Sequence, residues 1–69
     1  MSAVFGLVAV GFWTLSEGRL DDAHRTAAEV LVKQPASAEG LRLLAAALEA
    51  NGDHGGAALA ARRAAEAEP

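Results

Sequence analysis

Gly18-Arg19-Leu20-Asp21-Asp22-Ala23, followed by Pro35, recurs later in the chain as Gly52-Asp53-His54-Gly55-Gly56-Ala57, followed by Pro69. The two glycines, the two alanines and the two prolines are each 34 positions apart (18 to 52, 23 to 57, 35 to 69). A period of about 20–50 residues is typical of repeat architectures. The spacing therefore predicts two copies of one structural unit.

Length, charge and composition restrict the class of protein. A chain of 69 residues forms at most one small domain. The formal net charge of -3 argues against nucleic acid as a partner, because nucleic-acid binding needs a basic patch. The absence of cysteine excludes a disulfide framework and a thiolate metal site. Abundant alanine with leucine, glutamate and arginine favours helix, and the alternating pattern of strands is missing.

The first sixteen residues carry no charge. The apolar stretch from Ala3 to Leu15 is shorter than the roughly 20 residues that a membrane span needs. A signal peptide would begin with basic residues and end in a small-residue cleavage site, and neither is clear here. We therefore expect a first helix that is buried on most of its circumference.

Three further helices follow from apolar positions at spacings of three and four. The apolar positions of the second are Leu20, Ala23, Ala27, Val30 and Leu31, and Pro35 follows its end. Ser37 is a plausible N-cap of the third, whose apolar positions are Leu41, Leu44, Ala45 and Leu48. The fourth is expected from about Gly55 to Ala67, frayed at its glycines, with the inner face Ala57, Ala61 and Ala64. These expectations amount to two antiparallel helical hairpins.

This frame resembles two tetratricopeptide repeats, which are helix-turn-helix units of 34 residues, over about Val4 to Pro69. The residues that carry the resemblance are Leu7, Val10, Gly11, Gly18, Ala23 and Pro35 in repeat one, and Leu41, Leu44, Ala45, Gly52, Ala57, Ala64 and Pro69 in repeat two. The family's tryptophan and tyrosine are missing. Leu7 stands at the tryptophan position, and Thr14 and Leu48 stand at the tyrosine positions. The resemblance implies an all-α single domain over 1–69, with repeat one at about 4–37 and repeat two at about 38–69, stacked as a short right-handed solenoid.

The resemblance also implies a partner-binding groove along the first helix of each repeat. Its residues would be Phe5, Val8, Phe12 and Leu15 in repeat one, and Glu39, Arg42, Ala46 and Glu49 in repeat two. One apolar and one charged wall would suit an amphipathic or extended peptide. The alternative is that Phe5, Phe12 and Trp13 belong to the core or to a contact between repeats. Arg42 is the one cation among these positions, so a clamp for a peptide C-terminal carboxylate is not expected.

Catalytic and metal-binding patterns are weak. Asp21 and His24 share a helix face but have no evident third partner, and His54 beside Asp53 is better interpreted as a turn residue. The serines lack a glycine-rich nucleophile turn, and the glycines lack the GK[ST] of a phosphate loop. We expect no enzyme, no cofactor and no metal.

Two repeats fall short of the three that a solenoid normally needs, and the first helix is apolar instead of polar. The sequence therefore predicts a protein-protein interaction or scaffold module that binds a peptide or helix or self-associates through its first helix, most simply as a two-fold dimer. The alternatives are a fragment of a longer array, a membrane-associated piece anchored by Met1 to Leu15, and an accessory domain of a larger enzyme.

Overall fold

The computed structural model describes the backbone of residues 3–68 and the side chains of residues 6–68. Pro69 and the side chain of Phe5 therefore lie outside the described residues. The described part consists of α1 (Ala3–Ser16), α2 (Leu20–Lys33), α3 (Ala38–Ala50) and α4 (His54–Ala67), with no strand among these residues. The predicted all-α class and the count of four helices are confirmed.

Gly18 and Gly52 end α1 and α3 in the same way. Their φ angles are +79° and +86°, in the left-handed region where a β-carbon is strained. One residue further on, the backbone N–H of Arg19 donates to the carbonyl of Thr14 at 3.0 Å, and the N–H of Asp53 donates to the carbonyl of Leu48 at 2.9 Å. Both are the hydrogen bonds of a Schellman-type C-cap. The turn role predicted for both glycines is confirmed.

The helix starts differ in how they are capped. The Ser37 hydroxyl accepts from the N–H of Gly40 at 3.0 Å, which confirms the predicted N-cap of α3. The Asp53 carboxylate accepts from the N–H of Gly56 at 3.0 Å, so α4 begins at His54, one residue before the predicted start. Arg19 makes no side-chain cap for α2 and instead forms an ion pair with Asp22 at 2.7 Å.

α3 is the central helix of the fold. It packs against α1, α2 and α4, and α1 also packs against α2. Within the described residues α4 contacts neither α1 nor α2. The three-residue turns that join α1 to α2 and α3 to α4 are typical of antiparallel neighbours.

The buried side chains correct part of the predicted core. Leu43 and Val30 are the largest fully buried side chains. Of the positions predicted for α3, Leu41 is buried, whereas Leu44, Ala45 and Leu48 are half-buried. The prediction missed Leu43 and Ala47, because α3 lies between three helices and is covered on more than one side.

In α4 the predicted inner face is wrong at one position. Ala57 and Ala64 are buried, but Ala61 is exposed and Ala60 is buried in its place. The reason is that α4 packs against α3 alone among the described helices, so the side of α4 that carries Ala61 has no neighbour.

Two glycines allow the helices of different hairpins to approach closely. A β-carbon added at Gly11 of α1 would overlap the Leu43 side chain of α3. A β-carbon added at Gly40 of α3 would lie 2.7 Å from Cγ1 of Val30 in α2. Ala23 of α2 is fully buried, and its side chain is a single methyl group. Gly11 and Gly40 therefore determine how near α1 and α2 lie to α3.

Candidate interaction surface

The first helix is covered on one side. Among its described side chains Gly11 and Thr14 are buried, and the Thr14 hydroxyl donates to the carbonyl of Gly11 at 2.9 Å. The remaining side chains of residues 6–16 are half-buried or exposed. The expectation that this helix is buried on most of its circumference is therefore wrong within the single chain, because α2 and α3 cover one side of it and no described element covers the other.

Three large apolar side chains of α1 lie open to solvent. Val10 is 50% exposed, Phe12 41% and Trp13 59%. Val10 and Trp13 are three residues apart and share a helix face, whereas Phe12 lies to one side of that face. α1 itself contributes no charged side chain to this surface. Large exposed apolar patches on small proteins often mark sites of interaction, so this side of α1 is a candidate.

The residues predicted for the partner-binding groove lie on α1 and α3. On the apolar wall Val8 and Leu15 are half-buried, and Phe12 is exposed. On the charged wall Glu39, Arg42 and Glu49 are exposed, and Ala46 is half-buried.

The charges of that second wall already have partners within the chain. The guanidinium of Arg42 lies 4.0 Å from the Glu39 carboxylate and also pairs with Glu68, just beyond α4. The Glu49 carboxylate lies 2.8 Å from Nδ1 of His54. A charged ligand at this wall would therefore compete with contacts that exist in the free chain.

Sequence reasoning missed a concave region on the α2–α4 side of α3. A groove of about 560 Å³ and an adjoining one of about 200 Å³ share Leu41, Leu44 and Arg63. Leu59, which is 50% exposed, lines the smaller groove. These grooves are open because α2 and α4 do not contact each other. A leucine among the alanines of α4, away from the buried positions, is the sequence signal that could have indicated them.

The described residues contain no group of three histidine, cysteine, aspartate or glutamate side chains that could hold a metal ion. His24 and Asp21 line a crevice of about 50 Å³ between α2 and α3, together with the apolar residue Leu20. None of the helices within residues 3–68 combines the length and the apolar character needed to cross a bilayer.

Scanned against protein-family models, the chain matches none, and searches of curated proteins and of solved structures return no match either. The candidate surface is therefore defined by the chain's own residues, of which Val10, Phe12 and Trp13 are the most prominent.

Proposed function

We propose that this chain is a non-enzymatic interaction module of tetratricopeptide-repeat type that self-associates through its first helix. The observation that carries the proposal is the exposure of Val10, Phe12 and Trp13 on a helix without a single charge. Burying these side chains in a contact removes apolar surface from water, which stabilises the contact by about 25 cal/mol per Å² of buried surface. A second copy of the chain is the simplest partner that can cover them.

The repeat-type arrangement is supported by agreement between the two halves. α4 begins and ends 34 residues after α2, and α3 ends 34 residues after α1. The two turns share a positive-φ glycine and the same backbone hydrogen bond. The alanines at 23 and 57 are both buried. A duplicated unit with conserved turn chemistry accounts for all four observations.

A peptide or helix from another protein is the alternative ligand, on the face formed by α1 and α3. The apolar wall proposed on α1 includes the exposed Phe12, and the charged wall proposed on α3 includes the exposed Arg42 and Glu49. Because Arg42 pairs with Glu39 and Glu68, an acidic ligand would exchange one carboxylate partner for another. A pull-down that compares the wild type with Arg42→Glu tests this alternative, and we expect the substitution to abolish capture of a partner held at this wall.

Self-association is tested by sedimentation equilibrium at micromolar concentration. We expect a mass above that of the monomer for the wild type and a monomer for Trp13→Asp, because a carboxylate in the contact would lose its hydration. Val32→Asp is the matched control, since Val32 of α2 is 83% exposed and lies outside the α1 surface. A folded wild-type monomer at all concentrations would contradict the proposal.

Trp13 provides a second measurement. It is the single tryptophan of a chain without tyrosine, so the intrinsic fluorescence reports this side chain. In the free chain Trp13 is 59% exposed. We expect its emission to move to shorter wavelength as the concentration rises, because association removes the indole from water.

A further inference from the structure

The contact between the two hairpins uses one face of α3, formed by Gly40, Leu43 and Ala47, which we call the donor face. Leu43 lies against Gly11 of α1, and Gly40 lies against Val30 of α2. Ala47 lines the crevice beside Leu20, Asp21 and His24 of α2. All three donor-face residues are buried, so this face is fully covered by the first hairpin.

The equivalent face of α1 is uncovered. The residues 34 positions before the donor face of α3 are Gly6, Ala9 and Trp13, and all three are exposed. Val10, which corresponds to Leu44, adds to the same face and is 50% exposed. α1 therefore presents to solvent the side that α3 uses to dock.

The surface that receives α3 has a partly uncovered copy. Ala64, the equivalent of the contact residue Val30, is buried. Ala27 lies between His24 and Leu31 on one face of α2 and is fully buried, whereas Ala61, at the equivalent position of α4, is exposed. Leu31 is half-buried, and its equivalent Ala65 is exposed. Gly11 is buried, and its equivalent Ala45 is half-buried. We call the surface formed by Ala45, Ala61 and Ala65 the acceptor face.

The sizes of the side chains are reversed at one place of the docked contact. Within the chain the small Ala47 lies beside Asp21 and His24. At the equivalent place a docked α1 would bring the large Trp13 beside Gly55 and Ala58, which are both exposed. There the larger residue on one side is matched by smaller residues on the other, as close packing requires. At the place of Leu43 and Gly11 the docked contact would have the small residues Ala9 and Ala45.

We propose that copies of this chain associate head to tail, with α1 of one copy docked on the acceptor face of the next as α3 docks on the first hairpin. The inference rests on the proposed self-association and specifies its geometry. The contact between two copies would repeat the contact between the two hairpins of one copy. The helices of successive copies would then form one continuous stack. Such a contact leaves one donor and one acceptor face free in every dimer, so assembly proceeds beyond two copies.

The test uses two variants that each block one face. Trp13→Asp blocks the donor face, and Ala61→Arg blocks the acceptor face without disturbing a buried side chain, because Ala61 is exposed. Ala28→Arg is the matched control. It makes the same change at another exposed alanine, and repeat two already carries Arg62 at the equivalent position. We expect wild type and Ala28→Arg to form species larger than dimers, and each blocked variant alone to be monomeric by sedimentation.

Mixing the two blocked variants gives the decisive result. Ala61→Arg retains its donor face and Trp13, while Trp13→Asp retains its acceptor face and has no tryptophan. We expect a one-to-one complex that does not grow further, together with a shift of the tryptophan emission to shorter wavelength on mixing. Circular dichroism checks that both variants remain helical. If Trp13→Asp unfolds, Val10→Asp takes its place, and the complex is then followed by sedimentation alone.

The outcomes separate this inference from the proposed function. If Ala61→Arg associates like the wild type while Trp13→Asp does not, α1 pairs with α1 and the head-to-tail geometry is wrong, although self-association stands. If the mixture of blocked variants stays monomeric, the acceptor face is not the binding surface. A monomeric wild type contradicts both proposals.

Discussion

The Leu43 side chain of α3 occupies the space in which a β-carbon of Gly11 in α1 would lie. Leu43 is fully buried, and the close packing of protein interiors leaves a buried side chain little room to move. The distance between α1 and α3, and with it the contact between the two hairpins, therefore depends on the missing side chain at Gly11.

Gly11→Ala is expected to destabilise the domain. Overpacking against Leu43 costs about 1–3 kcal/mol, and the higher helix propensity of alanine returns at most about 1 kcal/mol. Gly6→Ala makes the same change in the same helix where nothing lies within 4 Å, and it should raise the stability by up to about 1 kcal/mol. Urea unfolding at low protein concentration measures both, and equal effects of the same sign would contradict the close contact.

Gly52→Ala is expected to lower the free energy of unfolding by about 1–2 kcal/mol, because a β-carbon is strained at a φ of +86°. No neighbouring atom lies within 4 Å of the added β-carbon, so the whole effect comes from the backbone. Gly55→Ala is the control three residues later, where no positive φ occurs and the same change should stabilise α4. Thermal unfolding of the two variants should shift the midpoint in opposite directions.

α2 and α4 should respond differently when the residue that precedes each helix is replaced by alanine. Asp53→Ala removes the carboxylate that caps α4 and should cost about 0.5–2 kcal/mol. Arg19→Ala, at the equivalent position before α2, removes an exposed ion pair with Asp22 and should cost at most about 1 kcal/mol. Chemical denaturation of both variants measures the difference, and a larger loss for Arg19→Ala would contradict the assignment of the caps.

Leu43→Ala is expected to cost about 2–5 kcal/mol, because it leaves a cavity between α3 and the first hairpin. A domain of this length has a total stability of about 3–10 kcal/mol, so Leu43→Ala should lose a large share of it. Leu59→Ala changes a leucine that is 50% exposed and should cost about 0.5 kcal/mol or less. Thermal unfolding followed by circular dichroism distinguishes the two, and an unchanged stability of Leu43→Ala would contradict its place in the core.

Arg42→Ala should change the free energy of unfolding by at most about 1 kcal/mol, because its ion pairs with Glu39 and Glu68 are exposed. The midpoint of urea unfolding checks this expectation. A nearly unchanged midpoint would allow Arg42→Ala to accompany Arg42→Glu in the pull-down, and loss of a partner by both variants would report binding and not misfolding. A large fall in stability would show that Arg42 is structural.

The sequence predicts the apolar character of the candidate surface but not which side chains of α1 are exposed. The uncharged first helix pointed to an interaction site, and Phe12 is exposed. One interpretation of the sequence puts Trp13, the most exposed of the three large apolar side chains of α1, in a core or in a contact between repeats. The sequence predicts Arg42 and Glu49 on a charged wall, but their pairing with Glu68 and His54 depends on helix ends that meet in the tertiary structure.

The four helices, their turns at Gly18 and Gly52 and the 34-residue period are predictable from the residues. These features depend on local interactions, namely helix propensity, capping and the left-handed conformation of glycine. The burial of Leu43 beside a half-buried Leu44, and of Ala27 against an exposed Ala61, required knowledge of the helix packing. Burial depends on which helix packs against each face. Positions 34 residues apart lie in helices of similar local structure, but α3 packs against three helices, whereas α4 packs against α3 alone among the described helices.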